Sequence, residues 1–267
     1  MLKKRVITAL LGLPLLIAAV WFDEPLPWFT ILVAIWGILA ILEFYRLVAV
    51  SRLPVLAWFG LIWTLLFILS PHFDYDFIVP LLLTSAVALS LIWLLLSSPK
   101  GGTFVSWAWS VVGILYVGWL LSYLVALRLD AGRNWVFFAL FTTFASDTAA
   151  FFIGRTLGRH HLAPRISPNK TWEGAIAGIF GAIIASLLLV LPSPLSVPIG
   201  YGQAILLGFL VSIFGQFGDL AESLLKRNTG VKESGNLVPG HGGILDRMDS
   251  VVFAGIVVYF FYAFVIL

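Results

Sequence analysis

Between Glu222 and Asp249 the chain places four acids (Glu222, Glu233, Asp246, Asp249), four cations (Lys226, Arg227, Lys232, Arg247) and the turn Gly240-His241-Gly242-Gly243 between two apolar runs. Asp246 and Asp249 stand three residues apart at the start of an expected helix, so they face one direction. Paired carboxylates beside a phosphate site are a common way to hold Mg²⁺, which takes oxygen ligands and keeps several waters. Glycines let the backbone come close to a ligand, and turn N–H groups at a helix start attract anions. Just upstream, Asp219, Glu222, Ser223 and Lys226 recur at i, i+3 and i+4 spacing and form one polar stripe, with Leu220, Leu224 and Leu225 turned away. Acids and cations mixed at this density suit metal-assisted phosphate chemistry better than a cation path, which the basic residues would not serve.

Two features upstream point the same way. Ser146-Asp147-Thr148 lies inside an apolar run, and a charge within a membrane span costs at least ~2.5 kcal/mol on insertion scales, so it is a functional candidate by default. The stretch Ser167-Pro168-Asn169-Lys170-Thr171-Trp172-Glu173-Gly174 leads into a helix, with Lys170 placed to reach a phosphate. Each feature also has a structural reading: an internally paired helix end, a glycine-rich turn, an acid partnering an interhelical cation, a basic loop. Their conjunction favours chemistry. His160 and His161, among Arg155, Arg159 and Arg165, lack further metal ligands nearby and read as solvated loop residues.

The elements that position these residues are set by composition. Of 267 residues 61% are hydrophobic and 11% charged, with a mean hydropathy of +1.04. Soluble domains carry about 25% charged residues, so the chain reads as an all-α, polytopic integral membrane protein. It has no cysteine, hence no disulfide or thiolate chemistry. Apolar runs of spanning length predict about nine transmembrane helices, near 6–22, 28–45, 53–70, 77–97, 103–127, 135–153, 174–192, 199–221 and 250–267. The first has a basic start like a signal peptide but no A-x-A site, and reads as an uncleaved helix.

With the N-terminus cytoplasmic, 14 of 16 Lys and Arg fall on the inner side, leaving Arg128 and Arg133 outside. That orientation puts the polar loops 154–173 and 222–249 in the cytoplasm and the C-terminus outside. Residues 146–249 hold 15 of the 29 formal charges. The chain thus divides into membrane helices 1–134, serving as scaffold and as a dimer or lipid-facing body, and a catalytic membrane region 135–267. No internal repeat of the transporter kind is visible, no Walker motif is present, and no heptad or single small-x₃-small face stands out. Nothing indicates a nucleic-acid partner.

The segment Ser223-x₂-Lys226-Arg227-x₄-Lys232-Glu233-x-Gly235-x₃-Pro239-x-His241-Gly242-Gly243-x₂-Asp246-Arg247-x-Asp249 resembles the signature of the phosphatidate cytidylyltransferases, the CDP-diacylglycerol synthases. Ser146-Asp147, Ser167-Pro168-x-Lys170-Thr171-Trp172-Glu173-Gly174 and Phe217-Gly218-Asp219-x₂-Glu222-Ser223 also look like that family, so the detailed match covers roughly residues 140–255. One departure is Glu233, where the family has Asp after the lysine.

The resemblance implies a bacterial-type inner-membrane enzyme that joins CTP to phosphatidate with Mg²⁺ and a possible second cation, and that tends to form homodimers. Asp219, Lys226, Asp246 and Asp249 would be catalytic. Asp147, Asp219, Asp246 and Asp249 would hold metal. Ser223, Lys170, Arg227, Lys232, His241, Gly242, Gly243 and Arg247 would bind substrate, with guanidinium groups suited to bidentate phosphate contact. The competing readings are a transporter that uses the intramembrane acids, and a sister enzyme with another lipid phosphate or nucleotide.

Overall fold

Each of the nine apolar runs forms a helix in the computed structural model, which describes residues 2–50, 55–96, 103–193, 195–235, 237 and 242–267. The helices are α1 (Leu2–Trp21), α2 (Trp28–Val50), α3 (Ala57–Leu69), α4 (Tyr75–Leu96), α5 (Phe104–Ala131), α6 (Arg133–Leu157), α7 (Trp172–Val190), α8 (Tyr201–Asn228) and α9 (Leu245–Ile266). Among the described residues α2 and α4–α9 hold seven segments long and apolar enough to cross a membrane, while Leu10–Trp21 and Ala57–His72 are shorter. Large apolar side chains such as Trp58, Leu95 and Phe264 stand about four-fifths exposed. In a chain of this hydropathy such surface is the lipid-facing kind. The protein is an all-α polytopic membrane protein.

One detail differs from the sequence expectation. Residues 154–173 are not simply a loop: α6 runs to Leu157, and an antiparallel hairpin of β1 (His161–Ala163) and β2 (Ser167–Thr171) follows. Residues 222–228 continue α8, as the helical spacing of Asp219, Glu222, Ser223 and Lys226 requires. The Glu222–Lys226 ion pair lies one turn apart and supports that extension.

The chain forms two compact units. The first comprises residues 1–129 and 228–246; the second comprises 130–227 and 247–267. The segment after α8 therefore packs with the N-terminal helices, a division that composition alone does not reveal. In the first unit Phe29, Val33, Ile41, Phe44, Phe67, Ile114 and Leu121 are fully buried. There α3 and α5 cross closely, because a Cβ on Gly118 would lie 2.8 Å from Thr64 Cα.

In the second unit α6 and α7 pack tightly along Gly174, Gly178 and Gly181. Added Cβ atoms there would lie 2.8 Å from Ala150 O, 3.1 Å from Ser146 Oγ and 2.7 Å from Ala149 Cβ. Gly174 and Gly178 make a small-x₃-small pair, which corrects the expectation that none stands out. The stripe serves packing within the unit. Ser146 and Ser212 share a buried hydrogen bond of 2.8 Å, and Gln216 Nε2 donates to Ala175 O (3.1 Å) and Ser212 Oγ (3.0 Å). These bonds tie α6, α7 and α8 together one residue from Asp147.

Candidate active site

In the second unit, α8 and α9 approach through glycine. A side chain on Gly218 would overlap the Asp249 carbonyl and Phe253, and one on Gly215 would lie 3.6 Å from Ser250 O. This crossing brings Asp219 of α8 beside Asp249 of α9. Asp147 of α6 completes the group: it feels the charges of Asp219, Lys170 and Arg247, while Asp249 feels those of Asp219, Asp147 and Lys226. The three carboxylates are thus within electrostatic reach of one another, as are Lys170, Lys226 and Arg247 of one or another of them.

Lys170 reaches the cluster from β2, with Nζ 2.6 Å from Asp219 Oδ2. Ser223 Oγ, one turn along α8, donates to Asp219 Oδ1 at 3.4 Å. The hairpin that carries Lys170 is fixed at both ends. At its base Thr171 Oγ1 caps α7 by accepting from Gly174 N at 3.2 Å, a Thr N-cap of the usual kind. Glycine at 158 lets α6 end against Thr171. At its turn Arg227 Nε donates to Ile166 O at 3.1 Å. Outside, His160 Nδ1 meets Glu173 Oε1 at 2.6 Å, so His160 has a specific partner although it is exposed.

Access distinguishes this cluster from an ordinary buried ion network. Asp147 and Arg247 are exposed, and Lys170, Asp219 and Asp249 are partly so. Glu222 and Lys226 are buried and paired beneath them. Asp147 and Arg247, a carboxylate and a guanidinium, are therefore the groups of this cluster most open to a ligand.

The remaining signature residues that are described lie in the first unit. Asp246 Oδ2 accepts from Ser234 N (3.0 Å), Ser234 Oγ (2.9 Å) and Gly243 N (2.9 Å). Gly242 has φ +85°, a left-handed conformation that glycine adopts without strain. A Cβ there would lie 2.7 Å from Asp246 Oδ2. Lys232 and Glu233 are exposed. His241, with Pro239 and Gly240, lies outside the described residues.

Sequence reasoning missed Glu43. It sits on α2, 1% exposed, and its Oε2 accepts from Leu245 N (2.9 Å) and Ser234 Oγ (3.2 Å). The signal was present, since an acid inside an apolar run deserves the attention given to Asp147.

The donors fit a hard cation in kind: all are carboxylate oxygens. Among the described residues no three Asp, Glu or His side chains come together as a group that could hold a metal ion by themselves. Mg²⁺ needs no such cage, because it is held by one or two carboxylates together with waters and substrate phosphates. Asp219 beside Asp249, with ammonium and guanidinium groups near, offers donors of that kind.

The cytidylyltransferase family matches residues 3–265 of the chain. A phosphatidate cytidylyltransferase of Bacillus subtilis is 34% identical over 267 residues, covering 98% of each chain. One from Staphylococcus haemolyticus is 38% identical over 191 residues, covering 71% of this chain and 72% of the relative. One from Brucella suis is 45% identical over 155 residues, covering 57% and 56%.

Proposed function

The chain belongs to the cytidylyltransferase family, and from that premise we infer that it transfers the cytidylyl group of CTP to phosphatidate, forming CDP-diacylglycerol and pyrophosphate. Relatives matching nearly the whole chain bear the corresponding name. The observation that carries the reading into chemistry is the cluster of Asp147, Asp219 and Asp249 with Lys170 and Arg247, backed by the buried Lys226.

The nucleophile is the lipid's own phosphate, a monoester with a second pKa near ~6 that is largely ionised at neutral pH. One of its oxygens bonds to the α-phosphorus of CTP as the bond from that phosphorus to the bridging oxygen of the β-phosphate breaks. Pyrophosphate leaves with the bonding electrons. No side-chain nucleophile is needed, and the obstacle is repulsion between anions. Lys170, Lys226 and Arg247 would offset that repulsion, and Ser223 would donate to a phosphate oxygen. Arg227, Lys232, Gly242, Gly243 and His241 are assigned to phosphate binding by the signature.

Asp147, Asp219 and Asp249 would hold Mg²⁺, which neutralises charge on the phosphates and polarises the α-phosphate. Asp246 belongs to the same proposed set on sequence grounds. The basic-residue bias supports an inner-membrane enzyme with its active site facing the cytoplasm. A homodimer rests on the resemblance alone. Transport is disfavoured because the acids are matched by cations.

The test is incubation of purified, detergent-solubilised protein with CTP labelled in the cytosine ring, phosphatidate and Mg²⁺, with ATP, GTP and UTP in parallel. Lipid-extractable label from CTP alone, lost with EDTA and restored by Mg²⁺, is expected. Label from another nucleotide would reassign the enzyme's substrate. No lipid product from any nucleotide would overturn the reading.

A further inference from the structure

Glu43 lies 191 residues from Ser234 and 202 from Leu245, yet one of its oxygens accepts a hydrogen bond from each. These two donors bracket the stretch that carries Gly235, Gly242 and Gly243. The Ser234 hydroxyl lies against both carboxylates, Glu43 Oε2 and Asp246 Oδ2, so the two acids hold one loop through one serine.

The glycines of this segment now have a steric reason. A Cβ on Gly235 would come 2.6 Å from Glu43 Oε1, and one on Gly243 would overlap Glu43 Oε2 and Ser234 Oγ. Two signature glycines are therefore small because a buried carboxylate of α2 fills the space a side chain would take. Glu43 Oε1 is itself buried and has no hydrogen-bond partner among the described residues. An arrangement that buries an acid at 1% exposure and leaves one oxygen unmatched costs free energy. A role limited to filling space would be served better by leucine.

We propose that Glu43 is a positioning residue for the cytidylyl transfer, fixing the segment 234–246 so that Gly242, Gly243 and Asp246 are presented in one conformation. It acts through Ser234 and the Leu245 amide. The proposal rests on the reaction inferred above.

The test is steady-state kinetics with CTP and phosphatidate varied separately, alongside hydrogen exchange of peptides covering 232–246, for wild type and Glu43→Ala, Glu43→Asp and Glu43→Gln. Glu43→Ala lowers kcat about 10- to 100-fold, raises the KM for CTP and leaves the KM for phosphatidate within about two-fold, in line with losses from disturbed supporting contacts. Glu43→Gln recovers most of the rate, because an amide oxygen accepts from both donors. Glu43→Asp does not recover it, because it keeps the charge but falls one methylene short. Exchange in 232–246 rises in the Ala and Asp proteins and stays near wild type in Gln.

If the Ala protein fails to fold, Ser234→Ala and the Asp/Gln pair carry the same comparison. Variants that all turn over like wild type, or a rate that falls with both KM values and loop exchange unchanged, overturn the proposal. If wild type itself makes no CDP-diacylglycerol, the reaction reading fails and takes this inference with it. An active wild type with indifferent Glu43 variants rejects this inference alone.

Discussion

Asp246 Oδ2 and Glu43 Oε2 in the first unit end against N–H and O–H donors, whereas Asp219 in the second unit pairs with Lys170 and feels the charges of two other carboxylates. The first arrangement ties acids to the chain's own backbone. The second leaves acids within reach of one another's charge, a state that a cation relieves. Acids bonded to neutral donors hold a loop in place, and acids that feel one another's charge are the ones proposed above to hold a metal. Both kinds occur in one signature, and sequence spacing alone does not separate them.

The contrast can be broken by substitution. The largest effect is expected for Asp219→Asn, which removes a charge shared by the whole open cluster. CTP turnover should fall on the order of 1,000-fold, the upper part of the range for loss of one charge-stabilising group. The protein should stay folded by size-exclusion and circular dichroism, because mutual repulsion is relieved as the Lys170 pair is lost. Lys170→Met should cost on the order of 100-fold in kcat at saturating substrate, with the hairpin retained by its Thr171 cap and the Arg227 contact.

Asp246→Ala sharpens the comparison because it should damage both activity and stability. It strands the N–H groups of Ser234 and Gly243 at a cost of about 1–3 kcal/mol per unsatisfied buried donor. The check is a lowered thermal midpoint alongside the lost turnover, a pairing that Asp219→Asn should not show. Ser212→Ala removes the hydroxyl joining Ser146 and Gln216. It should lower stability by about 0.6–1 kcal/mol with turnover nearly unchanged. His160→Ala, at the exposed rim, should leave kcat and both KM values at wild-type levels.

Much of this was legible in the chain because lipid is an undemanding reader. Runs such as Trp28–Val50 or Tyr75–Leu96 have no alternative to helix in hydrocarbon, where every backbone group must be bonded internally. The stripe Asp219, Glu222, Ser223 and Lys226 was equally readable from helical spacing, and the structure brings Asp147 and Lys170 to it. What was hidden depends on partners distant in sequence. The residues 161–171 look like a polar loop because their pairing is set by the cap at Thr171 and the contact from Arg227. The affiliation of 228–246 with the N-terminal helices includes the bonds of Ser234 and Leu245 to Glu43, and nothing near either segment announces the other. The small-residue stripe at Gly174, Gly178 and Gly181 was overlooked because its partner surface on α6 is defined only once the helices pack.

The measurement that bears most directly on the account is the Mg²⁺ dependence of CTP turnover for wild type, Asp219→Asn and Asp249→Asn, each at matched concentrations of folded protein. If the cluster of the second unit is the metal site, as proposed, both variants need at least ~10-fold more Mg²⁺ for half-maximal rate, with residual turnover far below wild type. Variants that turn over at the wild-type rate with an unchanged Mg²⁺ requirement would contradict that assignment.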